Sequence, residues 1–196
     1  MTKIVALSGS LSRPSRTRHL VETIAQRLAH QLDETHSGAQ IAIIDMADLA
    51  EDLGRAISFN NIPTTILEAH QQLAEADVIV LGSPIYKASY TGLLKHFLDL
   101  LDPSRLRNKV VILAASGGSD RHALVLEHQF RPLASFFETI TVPAGVYVRD
   151  SEFVNYTLSE SEQTAATFKR IDLAIQQTQS LLTTLRPSKI NVALAA

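Results

Sequence analysis

Residues 3–20 read KIVALSGSLSRPSRTRHL and contain a strand, a loop and the start of a helix in that order. The run Lys3–Leu7 is apolar after its lysine and does not alternate, which is typical of a strand buried on both faces of a parallel sheet. The hydroxyl-rich loop Ser8–Thr17 follows it. Apolar residues then recur every four positions, as on one face of an amphipathic helix, at Leu20, Ile24, Leu28 and Leu32. This segment predicts the first unit of an α/β domain.

The alternation of strand and helix continues along the chain. Four further apolar runs predict strands: Ile41–Ile44, Val78–Leu81, Val110–Ala115 and Ile140–Val148. The last helix is expected to begin near Ser159, with Glu162 completing a capping box, and to end near Leu185. We therefore predict a doubly wound, three-layer α/β sandwich whose five-stranded parallel sheet has the order 2-1-3-4-5. Residues 1–186 would form this domain, and residues 187–196 a C-terminal tail.

The composition excludes several kinds of site and partner. The 196-residue chain has no cysteine, which excludes disulfides, thiolate metal sites and a cysteine nucleophile. Its net charge of −2 gives no electrostatic reason to expect nucleic acid or an anionic membrane as a partner. The first apolar run is shorter than the core of a signal peptide, and no run is long enough to cross a bilayer. A cytoplasmic location and no metal site are expected.

The loop after the first strand has the chemistry of an anion site. A helix N-terminus offers unpaired N–H groups and the positive end of a dipole. Hydroxyl donors surround it, at Ser10, Ser12, Ser15 and Thr17. The loop lacks the lysine of a P-loop and the three glycines of a dinucleotide fingerprint, so a terminal phosphate monoester suits it better than a pyrophosphate. An ordinary capped turn would have the same composition, and both interpretations stay open on this loop alone.

The loop after the third strand, Gly82–Gly92, carries groups suited to a planar ligand. Pro84 restricts its backbone, and Tyr86 offers an aromatic face or a hydroxyl. Lys87 would place a positive charge near a reduced, anionic ring. The alternative is that Tyr86 packs at a rim and that Lys87 is a solvated surface charge.

A third loop, Ser116–Ser119, follows the fourth strand. Its glycines, Gly117 and Gly118, would allow the backbone to approach a ligand closely and to direct N–H groups at it. The alternative is a flexible turn. Because the first, third and fourth strands are neighbours in the predicted sheet, their loops meet at one edge, where ligands bind in this class of fold. The sequence therefore predicts one pocket built from three loops.

Three segments together resemble the NADPH-dependent FMN reductase family. They are SGSLSRPSRT at 8–17, GSPIYKASYTGLLKHFLDLL at 82–101 and SGGSDRHALVLEHQFRPL at 116–133. Within the family, they are most similar to the reductase components of two-component alkanesulfonate or methanesulfonate monooxygenase systems. The resemblance implies a flavodoxin-like fold and hydride transfer from NADPH or NADH to FMN, with reduced FMN passed to a flavin-dependent monooxygenase. It also implies a homo-oligomer, either a dimer or a tetramer.

The resemblance also implies which residues bind FMN. Matched to the family's motifs, Ser10, Ser15 and Thr17 would hold the phosphate. Ser12 and Ser83, in the same loops, are included among the expected contacts. The ring and ribityl chain would be flanked by Pro84, Ile85, Tyr86 and Lys87, and the ring edge contacted by Ser116, Gly117, Gly118 and Ser119. No catalytic side chain is expected, because bound cofactors carry hydride transfer.

His128 lies where the two branches of this family differ. The alkanesulfonate branch is similar but has a tyrosine there, and the methanesulfonate branch has a histidine. Pro132, four residues later, has no N–H for the His128 carbonyl, and its ring crowds that carbonyl. A π-helical turn around His128 would relieve both problems. His128 is therefore a candidate for a subunit interface or a position near the flavin, with half-buried packing as the alternative.

Other features leave further alternatives open. Residues 93–101 are apolar on more than one helix face, which fits either a helix deep under a loop or a subunit interface. Arg13, Arg16 and Arg18 are candidates for the 2′-phosphate of NADPH, with surface solvation as the alternative. The chain could also keep FMN as a prosthetic group and reduce a quinone, an azo dye or a metal oxyanion. A flavodoxin-type electron carrier and a phosphate-binding interaction protein without flavin are the remaining alternatives.

Overall fold

A computed structural model describes residues 1–34 and 38–185. Its strands are β1 (Thr2–Ser8), β2 (Ala39–Asp45), β3 (Val78–Pro84), β4 (Val110–Gly117), β5 (Ile140–Thr141) and β6 (Val146–Arg149). All pairings between them are parallel, in the order β2-β1-β3-β4-β5, with β6 also paired to β4. The order 2-1-3-4-5 of a flavodoxin-like sheet is thereby confirmed. The predicted tail, residues 187–196, lies outside the described residues.

The fifth strand position differs from the prediction, because Ile140–Val148 is two strands rather than one. From Val111 to Ala114, β4 advances three residues, whereas the paired chain advances five, from Thr141 to Val146. Pro143 has no N–H for a ladder, and its carbonyl accepts the N–H of Gly145 at 3.1 Å in a tight turn. The two short strands β5 and β6 therefore share one edge of β4, on either side of a bulge.

The helices are α1 (Arg16–Glu34), α2 (Met46–Arg55), α3 (Thr64–Glu75), α4 (Gly92–Asp99), α5 (Arg131–Phe136) and α6 (Ala165–Leu185). A π-helix, Leu126–Phe130, leads directly into α5. The helix α2 is absent from the elements that the sequence pattern predicts, although Asp45 caps it by accepting the N–H of Ala47. The helix α6 begins at Ala165 and not near Ser159 as predicted, because the side chains of Ser161 and Thr164 bond each other in a turn before Ala165.

Two apolar clusters cover the two faces of the sheet and make the three predicted layers. On one face, α1 and α6 contribute Ile24 and Ile171, both fully buried. The other face is covered by α2 to α5, with Phe97 and Phe130 at its centre. The apolar segment 93–101 is mostly buried within this single chain, as the deep-helix alternative requires. No helix of the described residues has both the length and the hydropathy needed to span a bilayer.

Candidate active site

A pocket of about 110 Å³ lies at the carboxyl ends of β1, β3 and β4. The loops that follow these three strands all contribute to its wall. Its lining residues are Ser10, Ser12, Ser15, Arg16, Thr17, Pro84, Ile85, Tyr86, Ser116, Gly117, Gly118, Asp150 and Tyr156. The structure thus brings together most of the residues singled out in the sequence. Ser83, Lys87 and Ser119 do not line the pocket, whereas Asp150 and Tyr156 were not foreseen.

The serine-rich loop wraps around the first turn of α1. Ser15 caps the helix, since its hydroxyl oxygen accepts the N–H of Arg18 at 3.1 Å. This bond uses the oxygen of Ser15 and leaves its proton free to donate. The hydroxyl oxygen of Ser10 accepts the N–H of Ser12 at 3.3 Å, which folds the loop back on itself. The loop therefore keeps hydroxyl donors available beside the positive end of a helix.

A buried hydrogen bond of 2.7 Å joins the hydroxyls of Thr17 and Ser116. It connects α1 to the last residues of β4, so two of the three loops are held at a fixed distance. Each hydroxyl has one proton, and only one of the two protons is used in this contact. The other remains available to an acceptor in the pocket.

The loop after β3 is shaped by a two-residue hairpin turn. Tyr86 and Ser89 exchange backbone hydrogen bonds of 2.9 and 3.2 Å, and Lys87 and Ala88 between them have φ of 52° and 68°. Lys87 is exposed at this turn and is not among the pocket lining residues. Ser83 is fully buried. Its hydroxyl oxygen accepts the N–H of Thr91 at 3.1 Å and so stabilises the loop.

The double-glycine loop is held by Tyr147, from β6. The Tyr147 hydroxyl donates to the carbonyl of Ser119 at 2.6 Å. A Cβ atom on Gly117 would lie 2.7 Å from that hydroxyl, so this glycine makes room for a tyrosine as well as lining the pocket. Ser119 instead caps the short helix Asp120–His122 by accepting the N–H of Arg121.

Arg16 differs from the other two arginines of the first loop. Arg13 pairs with Asp48, and Arg18 pairs with Asp45 at 3.0 Å and with Glu22. The Nε atom of Arg16 is buried and has no hydrogen-bond partner among the described residues. Buried donors without a partner are rare in native proteins and indicate a missing acceptor. Arg16 therefore supplies an uncompensated cationic donor to the serine-lined pocket.

The residues present fit a phosphate monoester. Five serine and threonine hydroxyls, one orphaned guanidinium donor and a helix N-terminus surround the pocket. The carboxylate of Asp150 lies beside the double-glycine loop, where its Oδ2 would be 3.7 Å from a Cβ atom on Gly118. No cluster of side chains in the described residues has the composition of a metal site.

His128 lies in the π-helix that the Pro132 argument anticipates, where the Arg131 N–H donates to the Leu126 carbonyl five residues earlier. The His128 side chain is exposed and lines a separate apolar groove of about 830 Å³, together with Tyr90 and Phe136. It does not line the serine-rich pocket.

Comparisons with known proteins identify the family of this chain. The model of the NADPH-dependent FMN reductase family matches residues 2–153. The chain is 42% identical over 187 residues to the NADH-dependent FMN reductase SfnF of Pseudomonas fluorescens, covering 94% of this chain and 95% of that protein. It is also 42% identical over 156 residues to an FMN reductase (NADPH) of Pseudomonas aeruginosa, covering 80% and 81%.

A solved structure shares the whole architecture. An oxidoreductase from Corynebacterium diphtheriae superposes with a TM-score of 0.85 at 32% sequence identity, covering 94% of this chain and 98% of that one. The fold, the family match over most of the chain and a pocket suited to a phosphate group lead to one conclusion. This chain belongs to the NADPH-dependent FMN reductase family.

Proposed function

We propose that this protein reduces FMN with a nicotinamide cofactor and holds the flavin phosphate in the serine-lined pocket. The observation that carries the proposal is the buried, unpartnered Nε of Arg16 beside the hydroxyls of Ser10, Ser15 and Thr17. When bound, FMN supplies the isoalloxazine ring that accepts the hydride. The chain itself binds, orients and partly desolvates the cofactors.

The site residues divide this work between them. Ser10, Ser12, Ser15 and Thr17 donate hydroxyl protons to phosphate oxygens, and the first turn of α1 adds backbone N–H groups. Pro84, Ile85 and Tyr86 form the wall along which the rest of the flavin lies, and Ser116 to Gly118 form the opposite wall. Ser83, Lys87 and Ser119 act by shaping these loops, since they lie outside the pocket lining.

Flavin is used as an exchangeable substrate rather than as a permanent prosthetic group. A pocket of about 110 Å³ has room for a phosphate group but is much smaller than the roughly 300–1,000 Å³ of sites that bury a whole drug-sized ligand. Tyr86, on its wall, is half exposed. A flavin whose phosphate is held in the pocket while its ring lies against partly exposed walls can leave after reduction, as a supplier of reduced flavin requires.

The partners belong to the same proposal. Reduced FMN passes to a flavin-dependent sulfonate monooxygenase in the cytoplasm, as the resemblance to two-component systems implies. The protein is a homo-oligomer, a dimer or a tetramer, and the exposed Phe136 in the groove beside His128 is one apolar surface available for it. Either NADH or NADPH is accepted as hydride donor, because relatives of similar identity carry both names.

One assay tests the proposal against its rivals. Oxidation of NADPH and of NADH is followed with and without added FMN, FAD and riboflavin. We expect rapid oxidation that depends on free FMN and continues over many turnovers. A protein that retains one FMN throughout and ignores free flavin would instead be a prosthetic-group reductase. Absence of any oxidation would leave an electron carrier, and absence of an FMN-induced rise in Tm would exclude flavin binding.

A further inference from the structure

Tyr156 has a backbone conformation that side chains of L-residues rarely adopt. Val154 and Thr157 exchange two backbone hydrogen bonds of 2.9 Å, and the two residues between them, Asn155 and Tyr156, have φ of 49° and 66°. Such a hairpin turn favours glycine at its central positions. A bulky residue held there is a strained outlier, and strain of this kind is concentrated at functional sites.

The turn places the Tyr156 ring against Arg16. The guanidinium carbon of Arg16 lies 4.9 Å from the centre of the ring, which is within the range of a cation–π contact. Both residues line the serine-rich pocket, although they are 140 residues apart in the sequence. The ring contact leaves the Nε donor of Arg16 without a hydrogen-bond partner among the described residues.

Arg16 has no carboxylate partner among the described residues, whereas Arg13 and Arg18 each have one or more. A long arginine side chain without such a partner would lose rotamer freedom each time it bound an anion. An aromatic ring in contact with the guanidinium restricts the side chain in advance and leaves its charge uncompensated. Tyr156 is the neighbour that performs this restriction.

We propose that Tyr156 is a positioning residue that holds Arg16 toward the flavin phosphate and so sets the preference for FMN over riboflavin. The inference deepens the proposed function and rests on it. Riboflavin has the same ring and ribityl chain but no phosphate, so it gains nothing from Arg16. The Tyr156 contribution should therefore appear in the ratio of the two affinities and not in riboflavin binding.

The test is a fluorescence titration of FMN and of riboflavin with the full-length protein. Four variants are compared with wild type: Tyr156→Ala, Tyr156→Phe, Arg16→Gln and the double variant. Tyr156→Ala is expected to lower the FMN-to-riboflavin affinity ratio by about threefold to tenfold, the size of a cation–π contact. Arg16→Gln should lower it by about tenfold to a hundredfold, as expected for a charged hydrogen bond. Tyr156→Phe keeps the ring and should keep the ratio.

The double variant separates positioning from direct contact. If Tyr156 acts through Arg16, adding Tyr156→Ala to Arg16→Gln changes the ratio by less than about twofold. A full additional loss would mean that Tyr156 touches the flavin itself and would overturn the inference. An unchanged ratio in Tyr156→Ala, with wild type binding FMN, would also overturn it. A wild type that binds neither flavin would overturn the proposed function instead. Thermal melts without flavin confirm that each variant is folded.

Discussion

The hydroxyls of Thr17 and Ser116 share a buried hydrogen bond of 2.7 Å across 99 residues of sequence. Thr17 lies in the first turn of α1. Ser116 lies near the carboxyl end of β4, where the double-glycine loop begins. The bond therefore fixes the width of the pocket between two loops that no covalent constraint holds together. We therefore expect this hydrogen bond to contribute both to the free energy of unfolding and to the affinity for flavin.

Replacing Thr17 by valine tests that contribution. The shape is nearly kept, but the hydroxyl is lost and the buried Ser116 hydroxyl loses its partner. We expect the free energy of unfolding to fall by about 1–3 kcal/mol and FMN to bind more weakly. Urea denaturation and flavin titration measure the two effects. Thr23→Val is the matched control, because the Thr23 hydroxyl bonds only to the His19 carbonyl in the same helix. Equal losses in both variants would contradict the prediction.

Gly117 and Tyr147 provide a second test. A Cβ on Gly117 would lie 2.7 Å from the Tyr147 hydroxyl but 3.5 Å from the nearest ring carbons. Gly117→Ala should therefore destabilise the protein by about 1–3 kcal/mol, because the hydroxyl must shift and weaken its bond to Ser119. In a Tyr147→Phe background the clash disappears, and the same alanine should cost little.

The double-mutant cycle for this pair is read from urea denaturation of the four proteins. Tyr147→Phe alone should cost about 1 kcal/mol through the lost hydrogen bond. The alanine is then expected to be less destabilising in the phenylalanine background, so the double variant loses less than the sum of the two single losses, whereas independent losses would add. Strict additivity would show that Gly117 is required for a reason other than the Tyr147 hydroxyl.

The sequence predicted the part of this fold that depends on local patterns. Continuous apolar blocks such as Val78–Leu81 identify strands buried on both faces, and the turns after them mark the functional edge of the sheet. Pro143 marks the break inside Ile140–Val148 locally, but the conformation of the break depends on distant side chains that satisfy the freed carbonyls, as at Arg170, whose Nε donates to the Gly145 carbonyl. Such long-range partners have no local signature.

For the candidate site, too, the sequence predicts which loops take part but not how their side chains are arranged. Motifs place Ser83 and Lys87 in the correct loop, but the direction of each side chain depends on turn geometry that composition does not reveal. Arg16 was considered only for the 2′-phosphate of NADPH, and its orphaned Nε appears only in three dimensions. No local sequence pattern singles out Tyr156, because its relevance comes from a contact with Arg16, which is far from it in the sequence.

His70 gives the protein a dependence of stability on pH. Its ring is buried 4.6 Å from that of Phe97, and Nε2 donates to the Phe97 carbonyl at 3.0 Å. Burial lowers the pKa of His70 below its ordinary 6.5, and the charge of Arg105 lowers it further, against an opposing effect of the hydrogen bond. Below pH 6.5 the unfolded chain therefore binds more protons than the native state.

The free energy of unfolding should accordingly fall as the pH drops below about 6.5 and continue to fall until the native His70 is itself protonated. Above that pH the full contribution is present. In His70→Gln, this part of the decline should be missing, so the slope of stability between about pH 7 and about pH 5 becomes shallower. An unchanged slope would mean that other groups account for the acid sensitivity.

Arg131 replaces the backbone ladder where the fifth strand position is broken. Its Nη1 donates to the Val142 carbonyl at 3.1 Å, and its Nη2 to the Pro143 carbonyl at 2.7 Å. Arg131→Gln should lower the free energy of unfolding by about 1–3 kcal/mol, because it leaves carbonyls without donors. Glu127→Gln is the control, since it removes only the partly exposed ion pair with Arg131, worth about 0–1 kcal/mol. If the two variants were equally stable, the ion pair and not the capping of the bulge would explain why an arginine stands here.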